Sequence, residues 1–125
     1  MTGLTLDAGA LIAHERGSRI MSLRIEEAKA LGWTIAVPAG VLAQVWRDGR
    51  RQARVARLLD SPTVNLEVLD DLSARLAGQL CGMTGTSDVI DASVVVCARR
   101  HGGRIVTSDA EDLRRLDPSV TLIVV

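Results

Sequence analysis

The sequence contains no tyrosine and no phenylalanine, and its only aromatic residues are Trp33 and Trp46. A platform on which the bases of single-stranded RNA stack needs several aromatic side chains, so we expect no such platform here. The chain also lacks an apolar run of about 18 residues, the length that a membrane span requires, and no basic segment followed by an apolar one opens it. We therefore expect a cytoplasmic protein with no membrane partner.

Cysteine and lysine are scarce as well. Cys81 and Cys97 are the only cysteines, and neither belongs to a CxxC or a cysteine–histidine motif. We expect buried thiols in a reducing compartment rather than a disulfide or a zinc site. Lys29 is the only lysine among 15 basic residues, which balance 15 acidic ones. The chain therefore has no overall field that favours nucleic acid, and arginine supplies nearly all of its positive charge.

Strand-like and helix-like segments alternate along the chain. We predict strands at 4–6, 33–37, 64–69, 104–107 and 121–125, and helices at 8–16, 19–31, 39–47, 50–59, 71–81, 87–101 and 109–116. The strands are almost continuously apolar, which is typical of a parallel sheet covered on both faces. The pattern predicts one α/β domain over residues 1–125, with three layers and a mainly parallel sheet of about five strands between helices.

Three of the helices have apolar residues that we expect to be buried. The segment 92–98 is apolar all round, with acids before it and Arg99 and Arg100 after it, which predicts a fully buried helix at 87–101. The helical periodicity of the other two segments predicts these buried residues: Ile20, Met21, Leu23, Leu31, Leu72, Leu76 and Leu80.

Acidic residues stand where two predicted strands end and where one predicted helix begins. Asp7 follows the first strand, Asp109 follows the fourth, and Asp88 and Asp91 begin the helix that leads into the fourth strand. Ligands bind in the crevice at the carboxyl ends of the strands of an open α/β sheet. Carboxylates that meet there repel one another unless a hard cation such as Mg²⁺ or Mn²⁺ neutralises them. The chemistry implied is attack of a metal-activated water on a phosphodiester.

The same acids are also good helix caps. Asp is among the preferred N-cap residues, and Asp7, Asp88 and Asp109 each precede a predicted helix. Parallel α/β topology places the starts of helices at the carboxyl edge of the sheet in any case. The pattern of acids alone therefore leaves the cap and the metal-ligand interpretations open.

Four segments of the chain resemble the motif regions of the PIN-domain ribonucleases, and most closely those of the VapC-type toxins of toxin–antitoxin pairs. In sequence order, the segments are Leu6–Ala13, Val37–Val45, Asp88–Val94 and Val106–Asp109. The resemblance covers essentially the whole chain. It implies a PIN-like fold, hydrolysis of an RNA substrate with Mg²⁺ or Mn²⁺, and a small antitoxin protein as partner.

The resemblance also implies the residues of the site. Carried over position by position, it implies that Asp7, Asp91, Asp109 and position 44 are the catalytic, metal-holding residues, with Asp112 as an outer helper. Position 44 departs from the family, which usually has Glu where this chain has Gln44. We therefore predict weaker metal binding, for which Asp88 could compensate as a further metal ligand. The alternative is a PIN-like module that binds RNA or protein without cleaving RNA.

The remaining candidates concern contacts with RNA or with partners. Arg47, Arg50, Arg54 and Arg57 would share one helical stripe if the break at Asp48-Gly49 does not rotate it. The stripe could hold RNA phosphates, dock an acidic antitoxin tail, or be a solvated helix face.

Hydroxyl groups, histidines and apolar helices suggest three further points. Thr107 and Ser108 could orient Asp109 or a phosphate, or simply cap a turn. His14 and His101 have no partner at a recognisable spacing in the sequence, so we assign them no catalytic role. Apolar helices in so small a domain favour a homodimer.

A receiver-type phosphoacceptor domain is disfavoured, because the Asp and Lys that it needs are not at the expected strand ends.

Overall fold

The structure, a computed structural model, describes residues 2–125, which form a five-stranded sheet and seven helices. The strands are β1 (Gly3–Leu6), β2 (Thr34–Pro38), β3 (Val64–Glu67), β4 (Arg104–Thr107) and β5 (Thr121–Val124). The helices are α1 (Ala8–Glu15), α2 (Arg19–Ala30), α3 (Ala39–Val45), α4 (Ala53–Asp60), α5 (Asp71–Thr84), α6 (Val89–Arg100) and α7 (Ala110–Leu116). The predicted alternation of strands and helices is confirmed, with shifts of a few residues at several ends.

The sheet is entirely parallel, with the strand order β3-β2-β1-β4-β5. The first strand therefore lies at the centre, paired with β2 on one side and β4 on the other. Leu6 of β1 stands beside Val106 of β4, so the two strands end at the same level. The α/β fold class is confirmed, and the structure places the first and fourth strands side by side, which a meeting of Asp7 and Asp109 requires.

Local hydrogen bonds of N-cap side chains determine where several helices begin. The Ser18 hydroxyl accepts from the amide of Met21 at 3.3 Å, and an Asp70 carboxylate oxygen accepts from the amide of Ser73 at 2.8 Å. Such N-caps satisfy amides that have no partner within the helix. At the other end of α5, Gly85 takes a left-handed conformation with φ 72°, so this helix runs three residues beyond its predicted end at 81.

Helix α6 forms the centre of the core. Every residue from Ala92 to Ala98 is buried, as predicted from its apolar sequence. The central strand beneath it is also buried along its whole length. Within residues 2–125, no single helix is long and apolar enough to cross a membrane, and α5 and α6 meet that test only as a pair bent by 115°.

Several large apolar side chains that were predicted to be buried are exposed instead. On α2, Ile20, Leu23 and Leu31 are each more than half exposed. On α5, the exposed fractions of Leu72 and Leu76 are 59% and 39%. The prediction is confirmed for Met21 and Leu80, which are buried together with Ile25 and Ala28 on α2 and with Ser73, Ala77 and Cys81 on α5. It was wrong for the other residues because periodicity identifies an apolar side of a helix but not the side that a neighbouring element covers.

Candidate active site

Asp7 lies at the carboxyl end of the central strand, and its backbone and side chain are both held. Its amide donates to the carbonyl of Val106 in β4 at 3.2 Å, and its Oδ1 accepts from the amide of Ala10 at 2.9 Å. Asp7 is therefore the N-cap of α1, and it is only 7% exposed. Burial raises the pKa of Asp7, the Thr107 hydroxyl and nearby amides lower it, and the charge of Asp109 raises it.

The turn after β4 packs directly against the start of α1. A Cβ built on Gly9 would collide with the Ser108 side chain and lie 3.2 Å from the Ser108 amide nitrogen. Glycine at position 9 therefore permits a backbone approach that any other residue would obstruct. This approach keeps the turn that carries Asp109 close to Asp7.

The turn itself is organised by Thr107, which is fully buried. Its hydroxyl accepts from the amide of Asp109 at 3.0 Å and also lies 3.0 Å from the Asp109 carbonyl oxygen. The exposed Asp109 side chain accepts from the amide of Glu111 at 3.3 Å and so caps α7. Thr107 thus orients the backbone of Asp109, while Ser108 remains exposed next to Gly9.

Asp88 and Asp91 stand at the amino end of α6. Asp88 is the N-cap, with Oδ1 accepting from the amide of Asp91 at 3.0 Å. Burial raises the pKa of Asp91 to about 7, and the neighbouring Asp88, Asp7 and Asp112 carboxylates add to this shift. A cavity of about 350 Å³ opens here, bounded by the loop after α5 and by α7. Its lining residues are Thr84, Gly85, Thr86, Ser87, Asp88, Asp91, Asp112, Arg115 and Leu116.

Electrostatic interactions connect the predicted acids. Asp109 acts on Asp7, and Asp7 acts in turn on Asp91. Each of these carboxylates therefore senses the charge of the next, and all of them stand where a strand ends or a helix begins. Gln44 is exposed in the second turn of α3 and does not line the cavity that Asp88 and Asp91 share.

The donor atoms of this edge suit a hard divalent cation. Within residues 2–125, none of Asp7, Asp88, Asp91 and Asp109 has a basic partner within 4.0 Å. Carboxylates that share a site without a counter-charge are stabilised by ions such as Mg²⁺ or Mn²⁺. The oxygens do not form a group of three within 4.8 Å of one another in the described chain, since three of the acids direct an oxygen at their own helix. Metal binding would therefore use the oxygens that capping leaves free.

The four arginines do not form the predicted helical stripe. Helix α3 ends at Val45 and α4 begins at Ala53, so Arg47 and Arg50 lie in the connection. The Arg47 guanidinium donates to the carbonyl of Trp46 at 2.7 Å. Arg54 and Arg57 lie on α4, where they line a groove with His14 and Lys29. The prediction required that the break at Asp48-Gly49 leave the stripe unrotated. In the structure, this break separates the arginines into two pairs.

A second group of polar residues was missed. His101, to which the sequence assigned no partner, directs Nε2 at Glu67 Oε1 across 3.1 Å, and Cys97 lies beside them. Glu67 is 34 positions before His101 in the chain. Only the four-residue spacing of Cys97 and His101 in a helix was available as a signal. Both cysteines are free and buried, as predicted.

Strand order and acid placement together define an α/β domain with an acidic pocket at the carboxyl edge of its sheet. The profile of the PIN domain matches residues 4–117, and the chain belongs to this family. Its fold is similar to that of a crystal structure of VapBC2 from Rickettsia felis bound to a DNA fragment from their promoter. The two chains share 14% identity over 98% of each, with a TM-score of 0.74.

A second solved structure is also similar. The crystal structure of FitAcB from Neisseria gonorrhoeae shares 14% identity over 96% of each chain, with a TM-score of 0.64. At this level of identity both structures establish the fold alone. A comparison with curated proteins finds no significant match.

Proposed function

We propose that this PIN domain is an endoribonuclease that hydrolyses RNA phosphodiesters with Mg²⁺ or Mn²⁺, and that it is the toxin of a toxin–antitoxin pair. PIN domains are generally nucleases, which supports hydrolysis. The observation that carries the proposal is the series of carboxylates at Asp7, Asp91 and Asp109, which have no basic partner within 4.0 Å in the described chain. The raised pKa of Asp91 fits a group that a cation would stabilise in its charged form.

Asp7, Asp91 and Asp109 would hold the ion. A bound divalent ion supplies a water of lowered pKa and neutralises charge on the scissile phosphate and its leaving oxygen. The protein contributes placement. The Asp7 carboxylate is held by the amide of Ala10 in α1, while the Thr107 hydroxyl holds the backbone of Asp109. Asp91, whose pKa is raised by burial and by the neighbouring carboxylates, would lose its proton on binding the ion, because a cation favours the charged carboxylate.

Gln44 and Asp88 adjust the charge of the site in this proposal. An amide at position 44 removes one negative charge, and Asp88 supplies one beside Asp91. A titration with Mn²⁺ followed by calorimetry should show tighter binding in Gln44→Glu and weaker binding in Asp88→Asn. Unchanged affinity in both variants would contradict these roles.

Cleavage of a defined structured RNA tests the function. We expect cleavage by the wild type with Mn²⁺ or Mg²⁺, and loss of cleavage with EDTA or in Asp7→Asn. Asp60→Asn is the matched control, because Asp60 is an exposed acid at the end of α4, and it should cleave normally. Cleavage that survives in Asp7→Asn would refute the assigned site. Absence of cleavage with either metal would favour the alternative, a module that binds RNA or protein without cleaving, which the amide of Gln44 supports.

RNA phosphates are proposed to contact the basic groove between α1, α2 and α4. Burial lowers the pKa of His14, and the charges of Arg54, Lys29 and Arg57 lower it further. The groove therefore carries positive charge that could attract phosphate. Arg47, Arg50, Thr107 and Ser108 remain secondary candidates for contacts with RNA or a partner. Arg57→Gln should weaken RNA binding and reduce its dependence on salt, whereas the exposed Arg114→Gln should not.

An antitoxin is the proposed protein partner. Solved structures of similar fold include VapBC2, which supports this class of partner. An apolar groove of about 380 Å³ between α3 and α4 offers a place for it, lined by Ala39, Leu42, Ala43, Trp46 and Leu59. Expression of the chain alone should arrest growth, and co-expression of the small protein encoded beside it should restore growth. The Trp46→Asp variant should remain toxic in that co-expression.

A homodimer is the proposed assembly. Exposed apolar residues run from the end of β3 into α5, and they are Leu66, Val68, Leu69, Leu72 and Leu76. A patch of this kind favours association with another surface. Light scattering coupled to gel filtration should give a dimer for the wild type and a monomer for Leu72→Asp. A monomeric wild type at micromolar concentration would contradict the assembly.

A further inference from the structure

Glu67, Cys97 and His101 converge where the end of β3 meets the last turns of α6. Each offers one possible ligand atom, and these atoms all lie within 4.8 Å of one another. Cys97 lies in the last turn of α6, and His101 is the residue that caps its carboxyl end. Glu67 is the last residue of β3 and faces them from the edge strand.

The His101 ring has one nitrogen that the described part of the chain leaves unsatisfied. His101 Nε2 is paired with Glu67 Oε1 at 3.1 Å, whereas the buried Nδ1 has no hydrogen-bond partner in the described part of the chain. When a neutral imidazole donates from Nε2, its Nδ1 carries a lone pair. Buried nitrogen lone pairs normally find a donor or a metal ion. Cys97 Sγ accepts from the Thr5 hydroxyl at 3.8 Å and also interacts with the Glu67 carboxylate.

We propose that Glu67, Cys97 and His101 form a binding site for a transition-metal ion of the Zn²⁺ type. The donors are a thiolate, an imidazole and a carboxylate, which together suit Zn²⁺ or Co²⁺ better than the oxygen-seeking Mg²⁺. The site is separate from the acidic pocket. Cys97 lies six residues beyond Asp91 on α6, a distance of about 9 Å along the helix.

The geometry is close to what such an ion needs. Zn–ligand distances of about 2.0–2.3 Å place tetrahedral ligands about 3.3–3.8 Å apart. The three atoms lie within 4.8 Å of one another, so they need to approach by no more than about 1.5 Å. The side chains of His101 and Glu67 are 13% and 18% exposed, so the ion and a water as fourth ligand can reach the site from solvent.

Two neighbouring groups act on the site in opposite directions. The Arg100 guanidinium lies 3.9 Å from Glu67 Oε1 and opposes a cation. The Thr5 hydroxyl supports a thiolate at Cys97. Burial and the Glu67 carboxylate raise the pKa of the Cys97 thiol, so it is protonated without metal. On binding, the S–H proton passes to solvent as the S–metal bond forms.

The consequence for the fold is a cross-link between an edge strand and the central helix. β3 pairs with β2 alone, and Asn65 and Leu66 in it are exposed. An ion that binds the folded chain and not the unfolded one stabilises the protein by an amount that grows with the logarithm of its concentration over its dissociation constant. The edge of the sheet is therefore the part that such an ion would hold in place.

Co²⁺ titration of the full chain tests the site, because a thiolate bound to Co²⁺ gives an ultraviolet charge-transfer band. Saturating Mg²⁺ is present to occupy the acidic pocket. We expect a one-to-one band in the wild type and its loss in Cys97→Ser. Cys81→Ser is the matched control, since Cys81 is also a free buried cysteine, and should keep the band. Absence of the band in the wild type, or its loss in Cys81→Ser with retention in Cys97→Ser, overturns the proposal.

A second pair of variants changes neither cysteine. Glu67→Gln should weaken Co²⁺ binding at least tenfold, while Arg100→Gln should strengthen it by removing the opposing charge. Circular dichroism confirms that each variant is folded. If Glu67 and His101 only form a structural hydrogen bond, Co²⁺ affinity is the same in both variants and Zn²⁺ does not raise the melting temperature of the wild type.

Discussion

The carboxylate of Asp91 should destabilise the metal-free protein at neutral and alkaline pH. Its pKa is raised to about 7 in the folded chain, against 3.8 for an ordinary Asp. The folded state therefore binds this proton more tightly than the unfolded state does. The contribution of Asp91 to stability is greatest below pH 3.8 and is lost as the pH rises through about 7. Replacement by Asn removes the charge and keeps the shape.

The size of the effect follows from the shift. A shift of about three pKa units corresponds to at most about 4 kcal/mol. Asp91 is only half-buried, so solvent screening reduces this figure, and the favourable dipole of the first helical turn offsets about 0.3–1 kcal/mol more. We expect Asp91→Asn to raise the free energy of unfolding by about 1–2 kcal/mol at pH 8 in EDTA. The difference should vanish near pH 4.

Urea denaturation of wild type and variant at the two pH values measures this effect. Asp71→Asn is the control, because Asp71 is also in a first helical turn but pairs with Arg75 at 2.8 Å in solvent. It should slightly destabilise the protein at pH 8. Added Mn²⁺ should stabilise the wild type and leave Asp91→Asn unchanged. An Asp91→Asn protein that is less stable than wild type at pH 8 in EDTA, or a difference that does not depend on pH, would refute the reasoning.

Two further substitutions test the packing around the site by chemical denaturation. Gly9→Ala should cost about 1–3 kcal/mol, because its Cβ has no room beside Ser108. The control Gly78→Ala has open space in α5 and should instead add about 0.5–1 kcal/mol, so equal effects would contradict the close approach. Asp117→Ala should cost about 1–3 kcal/mol, since its carboxylate binds Arg99 at 2.8 Å and both the amide and hydroxyl of Ser119. A cost no larger than that of exposed Asp71→Ala would contradict this role.

Local features of the fold were predictable from the sequence. The starts of four helices are predictable from their N-cap residues, because each side chain accepts a hydrogen bond from an amide only two or three residues further on. These residues are Ser18, Asp70, Asp88 and Asp109. The helix at 87–101 was predictable because its flanking charges match the helix dipole even though its apolar residues show no periodicity. Such signals require no knowledge of distant parts of the chain.

Features that depend on packing were less accessible. Leu72 was predicted to be buried and is 59% exposed, because α5 packs against the core through Ala77, Leu80 and Cys81. Periodicity identifies an apolar side of a helix, but it does not reveal which side a neighbour covers.

The candidate site was predictable from the sequence in part, since some of its features are local and others depend on packing. The acids were identified from their positions at strand ends, and the parallel sheet with β1 beside β4 brings Asp7 and Asp109 to one edge. The sequence left the cap and metal-ligand interpretations open, and the structure shows that Asp7 does cap its helix, with Oδ1 accepting from the amide of Ala10. The cluster of Glu67 with His101 joins residues 34 positions apart, and neither residue has a motif that points to the other.

The central claim is that Asp7, Asp91 and Asp109 bind a divalent metal ion. Anomalous diffraction from crystals soaked in Mn²⁺ tests it most directly, since the scattering locates the ion without reference to activity. We expect a Mn²⁺ peak within coordination distance of these three carboxylates in the wild type, and no peak there in Asp7→Asn. A wild-type crystal with no peak between the three acids, or with Mn²⁺ only beside Glu67 and His101, would contradict it.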